Sequence, residues 1–257
     1  MWFGNLVTME WWDDLWLNES FATYMSFISM SQIPELSYFN TCWVTFQQYK
    51  YWGISADQLS TTHPICATIH RTDEAESLFD GISYGKGSSF LKQVYNVIGH
   101  ETMKAGLHKY FKDFQWKNTT LPDFVGSLQW AYDQSGDKSM GADFNFTDWC
   151  DSWLKTSGVN ILEPVVEYND DFSVKTFEIK QVCDLRGQNK LRKQKLNVAF
   201  YDSDLKAHVV NDIVLSDKNA LNPVDFDFKG PVKAIVINHD EHAYCKVRFD
   251  QRTLDSL

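Results

Sequence analysis

No apolar run reaches the ~18 residues that a membrane-spanning helix needs, so no such helix is expected in this chain of 257 residues. Basic residues are in deficit: 24 Lys and Arg stand against 34 Asp and Glu, a net charge of −10. An acidic chain gains nothing from displacing the counterions of nucleic-acid phosphates, so DNA and RNA fall to the bottom of the list of partners. Five cysteines are scattered and odd in number, which suggests no disulfide framework, and the absence of Cys-x-x-Cys argues against a zinc ribbon. A signal-peptide pattern is lacking too. The chain instead opens Met1-Trp2-Phe3-Gly4-Asn5-Leu6-Val7 and runs straight into Trp11-Trp12, which reads as the middle of a domain. The compartment stays open with a lean toward the cytoplasm. What is plentiful is apolar side chain, 44% of the residues with 15% aromatic and Trp 10 times. That content argues against disorder and leaves room for a sizeable core in one or two domains.

Residues 7–30 carry neither Pro nor Gly, and Trp12, Leu15, Trp16, Ala22 and Thr23 recur at spacings of three and four, which predicts a helix of five or six turns. A second helix is expected over 35–53. Polar turn signals and Pro64 make 54–82 mixed. Helices follow at 86–98, 100–113, 121–135 and 146–156, with Gly99 as a C-cap and Thr120 (with Pro122) and Thr147 as N-caps. The character changes near Gly158. Short alternating runs at 172–179, 196–201, 207–215, 234–237 and 244–249 are separated by turn signals, including 186–189 and Asn238-His239-Asp240. That pattern predicts a small antiparallel sandwich or barrel. The expected domains are therefore 1–158, helical, and 159–257, β.

Glu19 projects from an aromatic stripe, following Leu15 and Trp16 and preceding Ala22 and Thr23 by three or four residues. A carboxylate there is costly unless it is paired, neutralised or bound to metal. Periodicity by itself favours an ordinary ion pair or local exposure. Tyr84, beside Gly81, Gly85 and Gly87, reads on its own as a loop aromatic. His239-Asp240-Glu241-His242 holds two His at i,i+3, but a solvated hairpin turn is the better reading than a metal site. The basic stretch Lys190-Leu191-Arg192-Lys193-Gln194-Lys195 reads as a solvated turn and strand edge. Asn118-Thr119-Thr120 and Asn145-Phe146-Thr147 are glycosylation sequons of a kind that arises by chance.

Two blocks change the weight of Glu19 and Tyr84. Trp2-Phe3-Gly4-Asn5-Leu6-Val7-Thr8 followed by Trp11-Trp12-Asp13-Asp14-Leu15-Trp16-Leu17-Asn18-Glu19-Ser20-Phe21-Ala22 resembles the zinc aminopeptidases of the gluzincin class, of the aminopeptidase N and puromycin-sensitive type. Thr61-Thr62-His63-Pro64-Ile65 and Phe79-Asp80-Gly81-Ile82-Ser83-Tyr84-Gly85-Lys86-Gly87 resemble that family's downstream stretch. In the family, His-Glu-x-x-His is followed by eighteen residues and a Glu; the two His and the distant Glu bind zinc, and the Glu between the His activates water. Eighteen residues, Met1 to Asn18, precede Glu19 here. The resemblance thus implies that Glu19 is the third zinc ligand and that Tyr84 donates to the oxyanion of the tetrahedral intermediate. Ser20 stands where the family usually has Gly. The implied fold is multidomain α and β: the mostly helical C-terminal lobe of a thermolysin-like zinc peptidase domain, then a small antiparallel β-sandwich. The implied substrates are peptide N-termini, whose ammonium an acidic cleft would attract.

Equally informative is what the resemblance leaves out. His-Glu-x-x-His occurs nowhere in the chain, nor does the Gly-x-Met-Glu-Asn segment that binds the substrate amine. His63, His70, His100 and His108 lie on segments unlike a ligand helix. Zinc belongs to the full-length family, and one carboxylate is not expected to hold it stably. Two expectations follow. The first is a portion of a zinc aminopeptidase, inactive in isolation, with Trp11, Trp12 and Trp16 left uncovered for want of a neighbouring helix. The second is a complete, catalytically dead homologue whose aromatic half-cleft docks a protein partner.

Overall fold

The computed structural model describes residues 1–39, 41–183 and 190–256, so the turn expected at 186–189 lies outside the described residues. They form two compact units, Met1–Ser157 and Gly158–Leu257.

The first unit is helical. Strand β1 (Thr8–Met9) pairs in parallel with β2 (Asn118–Thr119), and a 3-10 turn at Trp12–Asp14 leads into α1 (Leu15–Gln32). The helix thus starts later than the apolar spacing predicts. The segment ahead of it is drawn into other bonds: Asp13 Oδ1 accepts the Ile69 N–H at 2.6 Å, and Asp14 Oδ2 accepts the Leu121 N–H at 2.7 Å. Because α1 runs through the middle of the unit, it buries side chains on most faces, among them Trp16, Leu17, Ser20, Phe21 and Tyr24. Trp16 is only 1% exposed and meets Phe90 edge-on at 6.1 Å. Trp12 packs on Leu15, Ile69, Ala75 and Leu78, and the half-exposed Trp11 donates its indole N–H to Ile69 O at 2.6 Å. Trp16 is therefore buried and Trp12 packs on the chain's own loop at 65–78, contrary to the expectation that both lack a cover, whereas Trp11 stays 46% exposed. Phe3 is a hub for Phe21, Tyr110, Phe111 and Phe124, with ring centroids 4.4 to 5.9 Å away.

The helix expected over 35–53 is split. A 3-10 stretch at Pro34–Phe39, broken at Leu36, precedes α2 (Cys42–Asp57). A π-helical turn at Ile82–Lys86 then feeds α3 (Gly87–Ile98), which ends where Gly99 takes φ +79°. Helix α4 is His100–Phe114 and α5 is Leu121–Ser135. Thr120 and Asp123 close a capping box on α5, with the Thr120 N–H donating to Asp123 Oδ2 at 2.9 Å. Helix α6 (Phe146–Leu154) is capped by Asn145, whose side chain accepts the Asp148 N–H at 3.0 Å, and not by Thr147.

The second unit is a two-sheet sandwich. One sheet orders its strands β7 (Leu221–Pro223), β4 (Val174–Cys183), β3 (Asn160–Tyr168) and β9 (Cys245–Val247); the other orders β6 (Ala207–Leu215), β5 (Gln194–Tyr201) and β8 (Ala234–Ile237). Every pairing is antiparallel except β3 with β9, which is parallel and so departs from the purely antiparallel expectation. Strand β3 is absent from the predicted runs because Pro164 interrupts its alternation. Leu162, Phe177 and Ile179 from one sheet meet Leu196, Phe200 and Ile235 from the other in a shared core. The basic stretch is not a solvated turn throughout: Arg192 is 0% exposed and donates to Gly158 O at 2.9 Å and Asn160 Oδ1 at 3.0 Å. A short helix, α7 (Gln251–Leu254), closes the unit.

Backbone meets backbone closely between α2 and the π-helical turn. A Cβ on Gly85 would fall 2.2 Å from Tyr49 O and 2.7 Å from Gly53 N, whereas one on Gly126, in α5, would meet nothing within 4 Å. Gly85→Ala is expected to cost ~2–4 kcal/mol through forced displacement of backbone. Gly126→Ala is expected to gain ~0.5–1 kcal/mol by restricting the unfolded chain. Urea unfolding of both variants checks the contrast; equal midpoints would refute the packing argument.

Candidate active site

Glu19 sits in the second turn of α1, half-buried, between the buried Trp16 and Ser20 and one turn before Tyr24. Tyr84 is the middle residue of the π-helical turn rather than a loop aromatic. A single π turn inside a helix widens the backbone and re-aims one side chain. The turn places Tyr84 toward α1: its hydroxyl is close enough to the Glu19 carboxylate to feel its charge, although the two residues are far apart in the chain. Its ring stacks on Trp52 of α2, with centroids 5.9 Å apart and planes 20° from parallel. Burial, and then the Glu19 carboxylate, push the Tyr84 hydroxyl up to about 12. The phenol therefore keeps its proton at neutral pH and acts as an uncharged donor.

The turn is fastened from several sides. Ser20, fully buried, donates to Ser83 O at 2.5 Å and lies where a Cβ on Gly87 would fall, 2.0 Å from its Oγ. The residue that departs from the resembled pattern is thus a bond between α1 and the turn. On the α2 side, Lys86 and Asp57 form a buried ion pair at 2.8 Å, the side chains 1% and 0% exposed. Its outer valences are met: Lys86 Nζ also donates to Thr156 O at 3.1 Å, and Asp57 Oδ1 accepts Thr62 Oγ1 at 2.7 Å. At the start of the turn, Asp80 Oδ1 accepts the Ile82 and Ser83 N–H groups at 2.9 and 3.1 Å, and Asp80 Oδ2 faces His63 Nε2 at 2.9 Å. His63, quoted only as part of a block, is thus a partner of this turn. None of Ser20, Asp57, Lys86 or Asp80 stands out by residue type. The glycines at 81, 85 and 87 are the one local signal of so close a packing.

The remaining candidates lie apart. Cys66 donates to Asp14 Oδ1 at 3.4 Å, and burial pushes its thiol up to about 12, the reverse of an activated nucleophile. Burial likewise raises the Asp14 carboxyl, although the Leu121 N–H and Cys66 oppose the shift. His239 is in a turn after β8, beside Tyr201 at 3.3 Å. Asn118 is exposed and its amide donates to Thr8 Oγ1 at 3.0 Å. An apolar cavity of about 870 Å³, lined by Tyr24, Ile28, Tyr95, Met103 and Phe111, opens between α1, α3 and α4; neither Glu19 nor Tyr84 borders it.

A zinc ion needs four donors, three of them from protein in a catalytic site. Among the described residues no group of three or more His, Cys, Asp and Glu side chains is placed to hold a metal ion. Glu19 offers one carboxylate and its neighbour is a phenol that holds its proton. These residues do not, by themselves, fit a zinc ion. Among the described residues, no helix is long and apolar enough to cross a membrane.

Residues 1–153 match the model of the Peptidase family M1 domain. The chain is 36% identical to "Aminopeptidase N" of Streptomyces lividans over 99% of its own length and 29% of the relative's. It is 31% identical to "Probable aminopeptidase 2" of Sulfurisphaera tokodaii, over 98% of the chain and 29% of the relative. Identity to "Alanine/arginine aminopeptidase" of Saccharomyces cerevisiae is 32%, over 85% of the chain and 24% of the relative. The chain thus spans about 29% of the length of the first two curated relatives.

The buried ion pair gives a direct test of how the turn is held. Lys86→Met, which leaves the Asp57 carboxylate buried without its counter-charge, is expected to destabilise by ~3–5 kcal/mol. Adding Asp57→Leu is expected to recover much of that loss, because the uncompensated charge is gone. Equilibrium unfolding of the single and double variants decides it; a double variant as unstable as Lys86→Met would show that the cost lies elsewhere.

Proposed function

The chain belongs to peptidase family M1, and from that premise we propose that it forms the back half of an aminopeptidase active site, one that removes N-terminal residues from peptides. The observation that carries this reading is the proximity of the Tyr84 hydroxyl to the Glu19 carboxylate, which brings together the two residues whose motifs resemble an oxyanion donor and a zinc ligand. The family is generally zinc-dependent. In this reading Glu19 contributes one carboxylate to the metal site, and the other ligands and the water-activating Glu lie outside these 257 residues. The chain alone is then inactive.

Tyr84 has the properties the second role needs. When water adds to a peptide carbonyl, the oxygen gains negative charge, and a donor already in place stabilises that charge without reorganising. A phenol that stays protonated at neutral pH can do so. The stack on Trp52 and the clamps on the turn fix where its hydroxyl points. Removing one such donor costs roughly 10²–10³ in kcat.

Purified residues 1–257 should carry well under one zinc per chain and hydrolyse aminoacyl-arylamides no faster than buffer. Stoichiometric zinc with turnover would overturn the claim that one carboxylate is insufficient. In a longer form extended ahead of Met1 by a His-Glu-x-x-His segment, Tyr84→Phe should lower kcat by ~10²–10³ with little change in KM. An unchanged kcat would remove Tyr84 from the oxyanion role.

A further inference from the structure

His63 faces two acceptors at once. Its Nδ1 is 2.7 Å from Pro64 O and its Nε2 is 2.9 Å from Asp80 Oδ2. A backbone carbonyl and an ionised carboxylate can only accept, so both ring nitrogens must carry protons for both bonds to exist. The neutral imidazole has one N–H and satisfies one partner, leaving the other lone pair opposite an acceptor. The geometry is therefore that of an imidazolium.

The carboxylate it holds is the one that organises the Tyr84 turn. Asp80 Oδ1 takes the first two amides of the π-helical turn, and Asp80 O takes the Tyr84 N–H at 3.1 Å. We propose that His63 and Asp80 are positioning residues for Tyr84: the protonated His63 ties Asp80 to the Pro64 segment, Asp80 fixes the start of the π-helical turn, and the turn aims the phenol at Glu19. Loss of the His63 proton frees one end of that chain of bonds. The proposal rests on the oxyanion reading of Tyr84 for its catalytic consequence, but the positioning itself is measurable without turnover.

The surroundings set the sign of the pH dependence. The hydrogen bond to Asp80 raises the pKa of His63, burial opposes it, the Pro64 carbonyl and the Asp80 charge add to the rise, and Lys86 from the π-helical turn opposes it. The Lys86 charge is in turn paired with Asp57 of α2. Burial raises the Asp80 carboxyl, but the bonds from His63, Ser83 and Ile82 outweigh it and hold it below the ordinary range. A raised histidine contributes fully below about pH 6.5 and loses its contribution as pH rises through the folded value; a lowered carboxylate contributes above about pH 3.9 and loses its contribution as pH falls through the folded value. The latch is closed between those limits and opens on the alkaline side.

The test labels tyrosine with carbon-13 at Cζ in residues 1–257, assigns the Tyr84 line by its loss in Tyr84→Phe, and follows it beside the His63 ring signals from about pH 5 to pH 8.5. The expected result is one step in the Tyr84 line, coincident with the His63 titration and centred above the ordinary histidine value of about 6.5. Amide-exchange protection of Ile82 and Ser83 should fall over the same interval. His63→Gln, which keeps an amide donor toward Asp80 but cannot titrate, should abolish the step. His63→Ala should hold it at the high-pH position. A Tyr84 line that stays fixed while His63 titrates, or a step that survives in His63→Gln, would overturn the proposal, and the Gln variant keeps it testable should the Ala variant fail to fold. An unchanged kcat in Tyr84→Phe would instead sink only the oxyanion reading.

Discussion

The site depends on one backbone-to-backbone approach, that of α2 to the π-helical turn at Ile82–Lys86. It is possible only because Gly53 and Gly85 carry no side chain where the two segments meet. With the backbones so close, Lys86 is carried into the interior, where it pairs with Asp57, itself hydrogen-bonded by Thr62. Everything else about Tyr84 follows from that placement. Ser20 reaches the turn from α1, Asp80 caps its first amides, and the phenol lies near Glu19.

This arrangement gives the half-buried Tyr84, on an otherwise buried turn, a defined position. Aromatic hydroxyls at the edge of a cleft usually rotate among several partners. Here the ring stacks on Trp52, and the backbone beneath it is held by bonds to three different segments: α1 through Ser20, α2 through Asp57, and the Pro64 loop through His63 and Asp80. Such over-determination is what pre-organised electrostatic stabilisation requires, because a donor that must reorient during the reaction loses much of its effect. The acidic residues of the Trp11-to-Glu19 block divide by role in the same spirit. Asp13 and Asp14 accept backbone amides of distant loops, whereas Glu19 lies near the Tyr84 hydroxyl.

The curated relatives extend well beyond the region that this chain matches. The sandwich unit stands on its own core, with the buried Arg192 binding Gly158 and Asn160 near its first strand. A guanidinium with five donors suits that place, because it can satisfy several carbonyls at once where a lysine could satisfy fewer.

The amino-acid order specifies the helical elements from residue 86 to 154, because apolar spacing, the Thr120–Asp123 box and Gly99 are local signals that tertiary packing had no reason to override. It also determined the family, because the Trp11-to-Ala22 block and the Tyr84 block hold many specific residues in fixed order. The tertiary structure alone decided where α1 begins, since the competing bonds of Asp13 and Asp14 come from residues far along the chain. It alone decided that β3 and β9 run parallel, that Arg192 is buried within a basic run, and that Trp16 is covered. It alone brought Ser20, Asp57, His63, Asp80 and Lys86 around Tyr84. Hydrogen bonds and ion pairs between residues distant in sequence leave no periodic trace, so their partners become visible only once the chain is folded.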